Sequence, residues 1–329
     1  MKRSRWVGTL VLVSAVALGL TAYGGQAGDK PAWKGFADEK SPFWQEMETT
    51  TTQTMKVSGQ EVVQKQQQTF IVKWTPKKKL SDKSWEVEYE IVAVKMDIQI
   101  GGNNISYDSR AKDKPPQNPL TDFFQTLVGS KFTLTIGPDD KNDKRKGAIR
   151  VLSVDTKELE VFVNKLAAAN EQLKPLLKNI LSADAIKEMS NPTFDAFPTD
   201  EEFKAGKWTS EITLNMGPIG SYKTTYTYTP DAKDKGKIGV TSAMVYSPPK
   251  DDKSASLPFT IKKGDLSSNN GTGTVTYDPK TGNIAESKME MDVKGKLTIE
   301  IAGMETEVDL NQKQVSTLKT YYTDPLAKK

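Results

Sequence analysis

The sequence predicts an α+β fold: a long, curved, half-barrel-like antiparallel β-sheet packed on a few central α-helices. Three observations predict it. Two long stretches, one from Phe43 to Val154 and one beyond Gly206, alternate apolar and polar residues with the period of a strand. Between them, apolar residues recur at helical spacing. No strand leads through a glycine-rich phosphate loop into a helix, so a parallel nucleotide-binding sheet is not expected.

The N-terminus comes first. Met-Lys-Arg-Ser-Arg leads into Trp6–Ala22, an uncharged run rich in Val, Leu and Ala, and Gly25-Gln26-Ala27 offers a small-x-small cleavage site. Residues 1–27 therefore read as a secretory signal peptide, with an uncleaved anchor as the alternative. Leu20-Thr21-Ala22-Tyr23 has the form of a lipoprotein box with tyrosine in place of the lipidated cysteine, so no lipid can be attached there. Residues 28–42, rich in Gly, Pro, Lys and Asp, read as a linker.

Phe43–Met55 and Gln60–Trp74 form a predicted hairpin over Ser58-Gly59. In the next run Trp85, Val87, Tyr89 and Ile91 alternate with glutamates, after which the apolar phase slips to Val92, Val94, Met96, Ile98 and Ile100. A one-residue slip turns a regular strand inside out, so a bulge or sharp coil is predicted at Ile91–Ala93. Gly101-Gly102-Asn103-Asn104 turns the chain into Ile105–Ser109. After the proline loop at 112–116 comes a short helix, Leu120–Val128, capped by Gly129. Lys131–Ile136 and Ala148–Val154 make a second hairpin around a polar loop.

Asp155-Thr156-Lys157-Glu158 is a capping-box variant, followed by Leu159, Phe162, Val163 and Leu166 on one helical face. Leu173, Leu176, Leu177, Ile180 and Leu181 form a second such face, and Ser182 can cap a third helix over Ala183–Met189. Strands resume at Trp208–Met216, Tyr222–Tyr228, Ile238–Tyr246, Thr272–Tyr277 and Asn283–Ile301, with a last hairpin over Gly303 ending near Tyr322; Pro248–Ser256 is linker-like. The organisation is one large domain over 43–325, or two loosely related halves over 43–190 and 205–325.

Composition excludes several kinds of chemistry. The 329 residues contain no cysteine and no histidine. A disulfide framework, a thiolate nucleophile, a cysteine zinc site and a Ser-His-Asp triad are therefore all ruled out. The formal charge of +4 owes three charges to Lys2, Arg3 and Arg5, leaving 43 basic against 42 acidic residues after position 27. Beyond the leader the only arginines are Arg110, Arg145 and Arg150. Readers of bases and phosphates favour guanidinium, so no nucleic-acid partner is expected. The runs Lys77–Lys79 and Lys141–Lys146 read as solvated loop tips.

The enzymatic look-alikes fail on context. Ser109-x-x-Lys112, Ser316-x-x-Lys319 and Lys280-Thr281-Gly282 match motifs of penicillin-recognising enzymes, but Ser109 ends a strand and Ser316 follows the KTG triplet in the wrong order. Glu86/Glu88/Glu90 is a strand's solvent face, while Asp139-Asp140 and Asp200-Glu201-Glu202 are turn and helix-start residues. Asp139–Asp143 lacks the glycine and distal glutamate of an EF-hand. No catalytic, cofactor or metal residue is assigned, and no ligand-binding residue is identified. Met55, Met96, Met216, Met244, Met289 and Met291 fill a core or, alternatively, line a cavity for an apolar ligand.

Trp85–Tyr89 leading to Val94-Lys95-Met96, Ile105–Ser109, Phe123–Lys131, Phe197-Pro198 with Gly206-Lys207-Trp208, and Ile219–Tyr222 carry a resemblance. Through them the chain resembles a family of exported bacterial proteins, best known from planctomycetes, with the domain of unknown function 6263. That resemblance implies export and supplies no catalytic residues. In architecture alone, a curved sheet over helices is similar to the LolA-like and LprG-like lipoprotein carriers of the bacterial envelope. The expected function is a non-enzymatic envelope or periplasmic binding or structural module. A carrier of lipid or another apolar ligand on the sheet's concave face is the alternative, and a carboxylate-based hydrolase ranks last.

Overall fold

A computed structural model describes residues 30–81, 83–113, 119–141, 144–168, 178–179, 181–250 and 259–327. The leader 1–27, the helical face Leu173–Ile180 for the most part, and most of the Pro248–Ser256 interruption lie outside the described residues.

Thirteen described strands form one antiparallel sheet. They are β1 (Phe43–Val57), β2 (Gln60–Ser81), β3 (Ser84–Ile100), β4 (Asn103–Asp108), β5 (Lys131–Asp139), β6 (Ala148–Val154), β7 (Trp208–Asn215), β8 (Ser221–Pro230), β9 (Lys237–Ser247), β10 (Thr260–Gly264), β11 (Ser267–Asp278), β12 (Asn283–Ile301) and β13 (Met304–Tyr321). The spatial order is β6-β5-β3-β2-β1-β13-β12-β11-β9-β8-β7, with β4 beside β3 and β10 beside β12. N- and C-terminal strands therefore meet at the centre, β1 against β13, and mid-chain strands β6 and β7 form the two edges. Strand β10 has no counterpart in the sequence reading.

The predicted first hairpin is present, with Ser58 (φ 49°) and Gly59 (φ 82°) in its left-handed turn. The phase slip in β3 is a bulge: Ile71 lies opposite Ala93 and Val72 opposite Ile91, which leaves Val92 without a partner. There β3 changes neighbours, pairing with β5 over Trp85–Glu90 and with β4 over Lys95–Ile100. Ile91 bridges the change, donating its N–H to the Ser130 carbonyl and accepting from Gly129 N–H. One extra residue thus keeps both halves of the strand facing the core.

Helix α1 (Pro119–Leu127) ends before Gly129, which has φ 78°. Helix α2 (Thr156–Ala167) buries Leu159, Phe162, Val163 and Leu166 as predicted. Its cap differs from a reciprocal box. Asp155 accepts from Lys157 and Glu158 N–H, but its own N–H goes to Thr133 O, and the Glu158 carboxylate accepts from Thr133 N–H at 2.7 Å. The cap thereby pins α2 to β5. Ser182 caps α3 (Ala183–Ser190) through Ala185 N–H. A one-turn helix α4 (Pro192–Asp195) and α5 (Asp200–Lys204) follow, and the capping box is on α5, between Thr199 and Glu202.

The helices lie mid-chain, as expected, and pack toward the two ends of the sheet path. Helix α3 packs against both edge strands, β6 and β7, and α4 packs on β6. A helix that occupies the space beside two strands at opposite ends of the sheet path brings those ends together. Loop residue Lys144, between β5 and β6, also forms an ion pair with Glu211 on β7.

Segment 30–42, read as a linker, has no regular secondary structure but is packed into the domain. Phe36 is buried, stacking on Phe43 (5.5 Å) and meeting Trp85 edge-on (5.4 Å), and Trp33 meets Phe194 of α4 edge-on (5.6 Å). Aromatic side chains repay ordering a loop that composition alone marks as soluble.

The core-facing side of the sheet carries two apolar clusters, one on β2, β3, β5, β6 with α1 and α2, the other on β7–β13. The six methionines belong to these clusters. Across the central strands the same face is polar: Thr49, Thr51 and Gln53 of β1 lie opposite Gln68, Gln66 and Gln64 of β2 and opposite Ser316, Gln314 and Gln312 of β13. The amides form short ladders, Gln64 to Gln66 to Gln68 and Gln312 to Gln314 to Ser316. Gln53, fully buried, has neither amide atom hydrogen-bonded.

Candidate functional site

The seam between β6 and β7 holds a pocket of about 1200 Å³. Its walls come from the β5–β6 loop, β6, α3 and the outer faces of β7 and β8. Adjacent mid-chain strands β6 and β7 do not pair, because the helical segment between them in the chain occupies the gap.

Beneath the pocket lies a buried polar network. Arg145 donates from Nη1 to Asp195 Oδ1 (2.9 Å), from Nε to Glu202 Oε1 (2.7 Å) and from Nη2 to the Phe197 carbonyl (3.1 Å). Asp195 is fully buried, and its second oxygen accepts from Ser210 Oγ of β7 at 2.7 Å. Trp208 Nε1 donates to the Asp195 carbonyl at 2.9 Å, and the indole stacks on Tyr228 with ring centres 5.6 Å apart. One carboxylate therefore ties the β5–β6 loop to β7. A desolvated ion pair persists only when hydrogen bonds saturate it, and the bonds to Arg145 and Ser210 do that here. Burial, reinforced by the Asp195 charge and opposed by Arg145 and Arg150, pushes the Tyr228 hydroxyl well above the ordinary phenol range.

On β6, Arg150 is more than nine-tenths buried and faces the pocket. Its nearest acidic atoms are Glu188 Oε1 and Asp195 Oδ1, each 3.9 Å away, which balances its charge without forming a hydrogen bond. Asn191, between α3 and α4, accepts the Val151 N–H of the β6 edge through Oδ1 at 2.9 Å. Burial raises the pKa of Glu188, with Arg150 opposing the shift. At the rim Glu211 pairs with both Lys144 and Lys223, and their hydrogen bonds lower its pKa to about 2. Among the described residues, no group of three or more acidic side chains is placed to hold a metal ion.

A family model matches residues 82–284, a span that contains the bulge, the helices and the whole seam. The chain belongs to the family of unknown function DUF6263. No curated protein matches the sequence. Among solved structures the chain is similar to one of lipid–protein interactions in lipovitellin, at 8% identity and a TM-score of 0.42, over 87% of this chain and 26% of that one. The chain thus spans about a quarter of lipovitellin's length. It is also similar to OccK5 (OpdH) of Pseudomonas aeruginosa at 7% identity and a TM-score of 0.25, over 87% of this chain and all of that one. DynF of Micromonospora chersina matches at 11% identity and a TM-score of 0.21.

The serine and lysine look-alikes and the Glu86–Glu90 row lie apart from this DUF6263 seam. Ser109 Oγ accepts the Val94 N–H, and Ser316 is buried mid-strand beside Thr49. Lys280-Thr281-Gly282 is the β11–β12 turn, where the Thr281 hydroxyl bonds Asp278 and Tyr322. Glu88 and Glu90 pair with Lys131 on the outer face. Asp139 and Asp140 do line the pocket, and Glu202 holds Arg145. Two of the three arginines beyond the leader, Arg145 and Arg150, build the seam, a role missed by a reading that used them only to argue against nucleic acid. Their scarcity among 41 lysines was the available signal. Asp195 and Asn191 carried none, because each sits in an ordinary-looking helix-end sequence.

Proposed function

We propose that the protein is an exported envelope or periplasmic binding module that works without catalysis, its sheet curled into a half-barrel, and that it binds its ligand in the seam pocket. The pocket itself carries this reading: about 1200 Å³ of space whose wall mixes charged and polar side chains with apolar surface, braced by the fully buried Asp195. That space exceeds the 300–1,000 Å³ typical of small-molecule sites. Export rests on the charged and then apolar residues of the leader 1–27.

Two observations favour this over the alternatives. For an apolar carrier, the six core methionines are only 1–5% exposed, so the face that would hold lipid is filled by side chains. For a hydrolase, the Asp195 carboxylate is committed to Arg145 and Ser210. The test combines cell fractionation, N-terminal sequencing and native mass spectrometry of protein purified from its own envelope. The expected result is a mature chain that starts after Ala27 and carries a polar adduct. A cytoplasmic chain that retains its leader would overturn export, and extractable lipid would overturn the seam in favour of the carrier.

A further inference from the structure

We infer that the seam pocket recognises a neutral, hydroxyl-rich ligand of the saccharide class through Arg150, Asn191 and Glu188; this rests on the seam pocket being the binding site.

The pocket wall carries unused hydrogen-bonding capacity. Among the described residues, the Arg150 guanidinium makes no hydrogen bond, although its residue is only 8% exposed. Asn191, 2% exposed, spends its Oδ1 on Val151 N–H and keeps Nδ2 without a partner. Both residues line the pocket. Neither the Arg150 guanidinium nor Asn191 Nδ2 is sealed from solvent, so both donor sets open onto the pocket and are available to a ligand that accepts from them. Glu188, on the same wall, supplies an acceptor 3.9 Å from Arg150.

Charge then selects the ligand. Arg145 and Arg150 are matched by Asp195 and Glu202, and Glu188 adds a further acidic group. Asp184 is paired with Lys187 at 2.7 Å, and Glu211 with Lys144 and Lys223. The cluster has no positive charge to spare for a carboxylate or phosphate, which would face Glu188 as well. Adjacent hydroxyls meet the demand in both directions, accepting from Arg150 and Asn191 and donating to Glu188. Such a ligand is both donor and acceptor and brings no charge.

The test is isothermal titration of the full mature chain with glucose, galactose, N-acetylglucosamine and their short oligomers, beside inorganic phosphate and acetate, at 0.05 M and 0.5 M salt. Saccharide binding is expected to be unchanged between the two salts, because no net charge is neutralised. R150K keeps the charge but loses the planar fork, and is expected to weaken binding at least tenfold. N191D keeps the Oδ1 that holds Val151 N–H and removes the Nδ2 donor, and is expected to weaken it similarly. Thermal melts of both variants separate lost binding from lost folding. Binding of phosphate or acetate without saccharide, or saccharide binding unaltered in a folded R150K, overturns the assignment. A polar adduct in the envelope-purified protein that is not a saccharide would overturn it while leaving the seam as the binding site.

Discussion

Replacing Arg145 by methionine tests whether the seam is braced as described. Met keeps much of the apolar stem and removes the guanidinium. The carboxylate of Asp195, fully buried, then retains only Ser210 Oγ, the Phe197 carbonyl loses its Arg145 donor, and Glu202 keeps only the Thr199 N–H. Breaking a buried ion pair from one side costs about 3–5 kcal/mol, because the remaining charge is stranded. Arg150, 3.9 Å from Asp195, stays behind and offsets part of this, which places the expected loss near the lower end, at about 3 kcal/mol. Urea unfolding should show the midpoint falling by about 1 M if the slope is about 3 kcal/mol per M, with the slope itself unchanged. In R145M/D195N the stranded charge is gone, and the coupling recovered should be about 1–3 kcal/mol. A loss below about 1 kcal/mol in R145M, or no recovery in the double variant, would refute the network as the brace of the seam.

Other consequences can be checked with the same unfolding assay. Q53L removes a buried amide with no partners on either atom and should leave stability unchanged or raise it by about 1 kcal/mol; a clear loss would show that the amide is satisfied. G282A places a Cβ in the left-handed region (φ 70°), 2.5 Å from Lys34 N and 2.6 Å from Ala32 O, and should cost about 2 kcal/mol and open segment 30–42 to limited proteolysis. Since Glu211 has a lowered pKa, its contribution is present above about pH 4.5 and lost as pH falls towards 2. Its partners are exposed, so E211Q should cost no more than about 1 kcal/mol at neutral pH, and less in 1 M salt. A large, salt-independent loss would contradict the exposed geometry.

Local periodicity determined a good deal of this protein. Alternation named most strands, the slip after Ile91 located the bulge, and Asp155 and Ser182 marked helix starts, because each signal is carried by residues a few positions apart. The absence of cysteine and histidine set the chemical limits before any fold was known. Sequence alone left open which strands are neighbours. Pairing of β1 with β13 joins residues more than 250 positions apart, and no local pattern encodes it. The same holds for segment 30–42, polar in composition but anchored by Phe36, and for the seam. Asp195, Arg145 and Ser210 are each unremarkable in their own stretch of chain. They become a site only when helix α3 draws the two edges of the sheet together, because a buried charge is defined by what surrounds it in space.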